Sequence, residues 1–282
     1  MKKSFKKGIN TLLISAGLLF GANISNAAEI LVVDENGRLA AWSDLFANTF
    51  GDTLTVTNSW SMLPADLSTF DIIWDGGYSN DPGAGPAGSV VDFVNNGGGF
   101  YGQTERPCCE SHNDWVESIF KTLTGDMAMQ FGDVGDSPSG ATGTFLTPDS
   151  SILLEPNDIR NTTFDISAPG QLFVSDVSKV FAAQVDVGGF NIGIAYATED
   201  LVNNAGRIVT ISDIDWLNSI SADEALALEN IRTFLLAGVP LPEGCGENPN
   251  LPECHVPAPA PATGLLMLLG LALLGVRFSQ KR

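Results

Sequence analysis

The chain has 282 residues, 44% of them hydrophobic, and a formal net charge of −19. It is long enough for one sizeable core and too apolar for a disordered polymer. An acidic balance of that size repels nucleic acid and anionic lipid, which excludes nucleic-acid binding, and it favours solubility and cation binding.

The N-terminal end reads as an export signal. Met1 to Lys7 carries four lysines, an apolar run follows from Ile9 to about Ala22, and Ser25-Asn26-Ala27 precedes Ala28. Basic start, apolar stretch and small-x-small site are the three parts of a secretory signal peptide, so residues 1–27 are expected to form a signal helix cut after Ala27 by signal peptidase.

Residues 28–240 read as one α/β globular domain. Glu29 to Asp34 is a short, nearly continuous apolar run, as in a strand buried on both faces. Leu39, Trp42, Phe46 and Phe50 then recur at helical spacing, with Gly51 placed to end the helix. Thr53–Thr57 and Asp71–Trp74 read as strands, Val90–Asn95 as a helix, and Phe100–Gly102 as a fourth strand. From Asp126 to about Gly170 the chain is rich in Gly, Pro, Ser and Thr, and reads as an irregular or β-rich insertion. Three strand-like runs follow at Lys179–Val185, Ile192–Thr198 and Arg207–Asp213. Ser221 and Glu224 form a capping box for a final helix with Leu228, Ile231 and Leu235 on one face. The alternation predicts a mostly parallel sheet with helices on both faces, flavodoxin-like or close to it.

The segment from Gln103 to Asp114 holds Glu105, Arg106, Cys108, Cys109, Glu110 and His112. It follows a strand at the expected C-terminal edge of the sheet, where open α/β folds bind ligands. Three readings stay open: a vicinal Cys108–Cys109 disulfide that stiffens a loop, a soft-metal site of both thiolates with His112, or a cysteine nucleophile with His112 as base and Glu105 or Glu110 in support. Cys245 and Cys254 bracket a short segment after the last helix, and in an exported chain with four cysteines they invite pairing with each other. Cys254 with His255 is an alternative metal pair. The pairs Asp133/Asp136 and Asp213/Asp215 offer carboxylates for calcium, without EF-hand spacing. Trp42, Trp60, Trp74, Trp115 and Trp216 are candidates for stacking on sugars if exposed.

Residues 241–262 form a linker that becomes Pro-rich from Val256, and 263–282 a hydrophobic tail: Gly264–Val276 is apolar throughout and Arg277, Lys281 and Arg282 close the chain. A spanning helix needs ~20 apolar residues, so this segment is short for one. Its basic end would stay cytoplasmic and leave the body outside, tethered at the inner membrane. Both ends removed, the body is more acidic still. Four of the 14 basic residues lie in the signal, three in the tail and none of the 33 acidic ones in either, which leaves about −26.

The order of proline motif, apolar helix and basic terminus from Val256 to Arg282 resembles the PEP-CTERM sorting signal, with Pro257-Ala258-Pro259 where that family has Pro-Glu-Pro. The resemblance implies an exosortase-type enzyme as partner, and a place at the cell surface or in an exopolysaccharide or biofilm matrix. The body resembles class I glutamine amidotransferase-like domains in Asp71–Asp75, in the helix leading to Gly97–Gly102, and in Gly206–Asp213. That family's chemistry calls for a cysteine on the turn after the fourth strand and a histidine after a later one. Here Gly102-Gln103-Thr104 and Ser212-Asp213-Ile214-Asp215 stand at those places. The expectation is therefore an exported, non-catalytic envelope or matrix protein without a cofactor. The competing expectation is an exported hydrolase or metal-binding protein built on Cys108, Cys109 and His112.

Overall fold

The computed structural model describes residues 27–136, 142–185 and 188–238. The signal segment, Cys245, Cys254, the Val256–Pro259 motif and the apolar tail lie outside the described residues. Among the described residues, no helix is long and apolar enough to cross a membrane.

In chain order the elements are β1 (Glu29–Val33), α1 (Ala40–Asp44), β2 (Thr53–Thr57), β3 (Ile72–Asp75), α2 (Ala84–Asn95), β4 (Gly99–Tyr101), α3 (Glu110–Thr124), β5 (Gln130–Asp136), β6 (Thr142–Phe145), α4 (Ser151–Leu154), β7 (Thr163–Asp165), β8 (Gly170–Phe173), β9 (Val180–Gln184), β10 (Phe190–Tyr196), β11 (Arg207–Ile211) and α5 (Ala222–Leu236). Local chemistry explains several boundaries. The helix begun by α1 widens into a π turn over Leu45–Phe50 and ends on Gly51 at φ 79°, a left-handed position that costs a glycine nothing. Ser221 and Glu224 cap α5 reciprocally, Ser221 N donating to Glu224 Oε2 at 2.6 Å and Glu224 N to Ser221 Oγ at 3.2 Å.

Nine strands form one sheet in the order β2-β1-β3-β4-β11-β10-β9-β6-β7, and β5 pairs with β8 in a separate ribbon. From β2 to β11 the strands run parallel. With β11 as the fifth strand, this half has the flavodoxin-like order 2-1-3-4-5. From β11 outward every pairing is antiparallel. The expectation of a mostly parallel sheet is thus corrected to a mixed one, parallel in one half only. The reason lies in the connections. β9 and β10 are joined by a turn too short for a crossover helix, and short turns join antiparallel neighbours. The region from Asp126 to Gly170 is β-rich, and its strands β6 and β7 extend the main sheet.

Helices cover both faces of the parallel half. On one, Trp42, Phe46, Leu228, Ile231 and Leu235 pack with Ile30, Val32, Ile72 and Trp74. On the other, Val90, Val94, Trp115, Val116, Ile119 and Phe120 pack with Leu31, Val33, Ile73 and Phe100. Alternate residues of β1 therefore serve opposite cores, as the two-residue strand period requires. A buried ion pair ties the chain's two described ends: Arg232 of α5 donates from Nε to Asp52 Oδ2 at 2.6 Å, and Asp52 Oδ1 accepts from Ala28 N at 2.8 Å.

Candidate functional site

The parallel strands deliver their C-terminal ends to one edge of the sheet. In this strand order the crevice of the fold opens where the order reverses, between β1 and β3. Glu35 follows β1 there and Asp75 ends β3. Asp75 is fully buried. Its Oδ1 accepts from Gly77 N at 2.9 Å, and its Oδ2 from Gln103 N at 3.2 Å and from His112 Nε2 at 2.9 Å.

His112 comes from the first turn of α3, not from a loop. The loop expected at Cys108, Cys109 and His112 stops short of the histidine, because α3 begins at Glu110. Its buried residues His112, Trp115, Val116, Ile119, Phe120 and Leu123 recur at three and four, so packing of that stripe draws the histidine inside. The other ring nitrogen, Nδ1, lies 2.7 Å from the Asn80 carbonyl oxygen. A carbonyl only accepts, so Nδ1 carries a proton, and a proton on Nε2 as well makes the ring an imidazolium that donates to both neighbours. Burial opposes that charge, but Asp75, the Asn80 carbonyl and the nearby Glu35 outweigh it and hold His112 above its ordinary value.

The segment Gly76–Gly83 closes over this pair. A Cβ on Gly77 would lie 2.9 Å from His112 Cε1, 3.2 Å from Asp75 Oδ1 and 3.4 Å from Glu35 Oε2, so the backbone itself fills the space between the three groups. Glu35 Oε1 accepts from Trp60 N at 3.4 Å, while its buried Oε2 has no hydrogen-bond partner among the described residues. The segment is laced to the loop after β1 by Tyr78 N donating to Asn36 Oδ1, at 3.3 Å.

Next to it, at the ends of β4 and β11, stands a second acidic group. Gln103 occupies the turn where the amidotransferase-like pattern places its nucleophile. It is fully buried, accepting from Tyr101 Oη at 2.9 Å and donating to the carbonyls of Thr104 at 2.5 Å and Ile211 at 3.1 Å. Glu105 Oε1 accepts from Arg106 N at 3.0 Å and its Oε2 from Ile214 N at 3.1 Å. Asp213, at φ 154°, accepts from Ser167 N, Ala168 N and Asp215 N at 2.6, 2.9 and 2.8 Å. Burial, reinforced by the Asp213 charge, pushes the Glu105 carboxyl up to about 7, and burial also raises Asp213.

The expected site residues are placed as follows. Cys108 is exposed and Cys109 buried on a single 3-10 turn, with their sulfurs in contact. His112 directs both nitrogens to Asp75 and Asn80, leaving neither for a sulfur. Glu105 faces Ile214, and Glu110 opens α3. Among the described residues no three His, Cys, Asp or Glu side chains are gathered to hold a metal ion. All five tryptophans are buried, which removes the expectation that they stack on sugars. Trp42, Trp74 and Trp216 instead meet in one aromatic cluster with Tyr101, whose ring stacks on Trp74. Sequence reasoning missed Glu35 and Asp75 as site residues. For Asp75 the signal was there, since the apolar strand β3 runs straight into it.

No family model matches the sequence, and no curated protein matches it. Among solved structures the chain is similar to the mmIFT52 N-terminal domain, at 10% identity and a TM-score of 0.56, over 74% of this chain and 97% of that one. It is also similar to a ThuA-like protein from Parabacteroides merdae, at 9% identity and a TM-score of 0.49 over 76% and 91% of the two chains. A third similar structure is a glutamine amidotransferase from Thermotoga maritima, at 10% identity and a TM-score of 0.45 over 76% and 99%. At such identities the likeness to the first is one of fold alone.

Proposed function

We propose that this chain is an exported, non-catalytic α/β domain of the cell envelope or extracellular matrix, a silent relative of the amidotransferase-like enzymes. One observation carries the non-catalytic part. The residue at the nucleophile position is Gln103, whose side-chain amide is buried and hydrogen-bonded at both ends, while the neighbouring histidine is enclosed with both nitrogens engaged. Nothing there is free to attack or to move a proton to a substrate. Export rests on the sequence of residues 1–27, and tethering on the tail from Gly264 to Arg282. The resemblance of Val256–Arg282 to an exosortase signal supports sorting to the surface and association with exopolysaccharide.

The test is fractionation of the full-length chain from a Gram-negative host, followed by assay of the purified protein against glycan, ester and amide substrates. The expected result is a chain outside the cytoplasm, beginning at Ala28 and without turnover. Turnover that disappears in Cys108→Ser would establish the hydrolase instead, because Cys108 is exposed and its loss leaves the buried network untouched.

A further inference from the structure

The two edges of the nine-stranded sheet are finished differently. At one, β7 is three residues long, ends on the charged Asp165, and has the Asp165 amide bonded at 3.0 Å to the Glu224 carboxylate of α5. That edge is closed to a further strand by a short length and a charge, two ordinary protections. At the other, β2 is five residues of threonine alternating with Leu54 and Val56, with no proline and no charge.

The free groups of β2 follow from its ladder. Thr53 N donates to Ala28 O at 2.9 Å and Asp34 N donates to Thr57 O at 2.8 Å, so the threonines carry the bonds to β1. Bonding residues alternate along a parallel strand. The N–H and C=O groups of Leu54 and Val56 therefore point outward, and no partner meets them among the described residues. Beside this edge lies a groove of about 470 Å³, with Leu31, Val56, Met62 and Pro64 as its apolar lining and Thr55, Thr57 and Asn58 as its polar one. Val56 is 58% and Met62 63% exposed. Open main-chain groups next to an apolar groove are what strand-addition sites offer: the ladder supplies affinity and the groove reads a side chain.

Charge selects among occupants. Residues 53–65 hold no charged side chain, between Asp52 and Asp66, in a chain of net charge −19. A second copy would bring two strongly acidic bodies together, whereas the same field attracts a basic segment. We propose that the β2 edge docks an extended segment of a partner protein, with an uncharged β-branched centre flanked by lysine or arginine, as an added strand whose central side chain enters the groove.

Fluorescence anisotropy on the full-length chain in nonionic detergent tests this, with labelled KKTVTVTKK as probe and EETVTVTEE as its acidic counterpart. Val56→Pro removes only an outward N–H, a place where an edge strand tolerates proline. Met62→Asn places an uncharged amide in the groove and leaves the field that attracts the basic peptide unchanged. Saturable binding of the basic peptide is expected, weakened about tenfold or more in each variant and in the acidic peptide. Circular dichroism identifies folded variants, and Met62→Asn decides alone if Val56→Pro does not fold. The proposal is overturned if the basic peptide fails to bind, if both folded variants bind it like the parent, or if the acidic peptide binds equally well. Self-association of the parent that disappears in Val56→Pro would make a second copy the occupant, and would overturn it too.

Discussion

Two buried acidic groups sit side by side at the C-terminal edge of the sheet, and they are stabilised by opposite means. Asp75 is answered by a cation: the His112 imidazolium lies against it with both ring protons bonded. Glu105 and Asp213 are answered only by backbone amides of Arg106, Ile214, Ser167, Ala168 and Asp215, and no cation bonds to either among the described residues. An internal cation offsets part of what burying a carboxylate costs. Two acids sharing a dry site with amides alone repel each other, and one is driven toward its protonated form. The two groups therefore answer differently to mutation and to pH.

Removing the cation tests the first group, and this is the largest expected effect. His112→Ala leaves Asp75 buried with two amide donors and no counter-charge, beside the buried Glu35 oxygen. Breaking a buried pair on one side costs about 3–5 kcal/mol, so the midpoint of urea unfolding should fall steeply. A loss under about 1 kcal/mol, the range of exposed pairs, would mean that Asp75 is not ionised and that the imidazolium assignment is wrong. Nitrogen NMR of the ring gives the same answer without a variant, since both nitrogens should be protonated at neutral pH.

The second group is tested by titration. The Glu105 carboxyl is raised from 4.5 to about 7, so the folded state holds its proton more tightly than the unfolded chain. Stability from this group is complete below the unfolded value, declines as pH rises between the two, and is lost once pH passes about 7. The span corresponds to about 3 kcal/mol, at roughly 1.4 kcal/mol per unit. Glu105→Gln carries an uncharged group of the same shape, and should flatten this part of the stability curve. His112 is also raised, and its contribution, complete below its ordinary 6.5, is lost as pH rises through its folded value. Glu105→Gln should leave the part of the curve that depends on His112 unchanged. If it alters that part and not the fall that begins near 4.5, the two groups are not separate.

Much of this was legible in the sequence. The strands β1, β2, β3 and β4 and the capped helix α5 follow from apolar runs, glycine stops and a capping box, because those signals are local. The place of β11 between β4 and β10 is not local, and neither is the extension of the sheet by β6 and β7. Those pairings are chosen by packing between segments far apart in the chain. The site was legible in part. Gln103 at the nucleophile turn could be read from the motif. His112 was noticed but assigned to a loop, although the stripe His112, Trp115, Val116, Ile119 and Phe120 already has helical spacing. That spacing turns the histidine inward and away from the cysteines. Glu35 gives no sign of its fate: only the fold decides that one oxygen of an acid beside a turn ends buried without a donor.

Arg38 sets the lower bound of the comparison. It pairs with Asp215 at 2.9 Å, with both side chains 38% exposed, and Asp215 is the outermost acid of the second group. Solvent screens such a pair, and exposed pairs contribute about 0.2–1 kcal/mol. Arg38→Ala should therefore lower stability by no more than this at neutral pH, and less in high salt. It should also leave the pH at which Glu105 titrates unmoved, because the raised value comes from burial and from Asp213, neither of which the guanidinium touches. A clear upward movement of the Glu105 titration in Arg38→Ala would show that this cation reaches the inner acids. The second group would then be a screened version of the first, with the same device placed farther out.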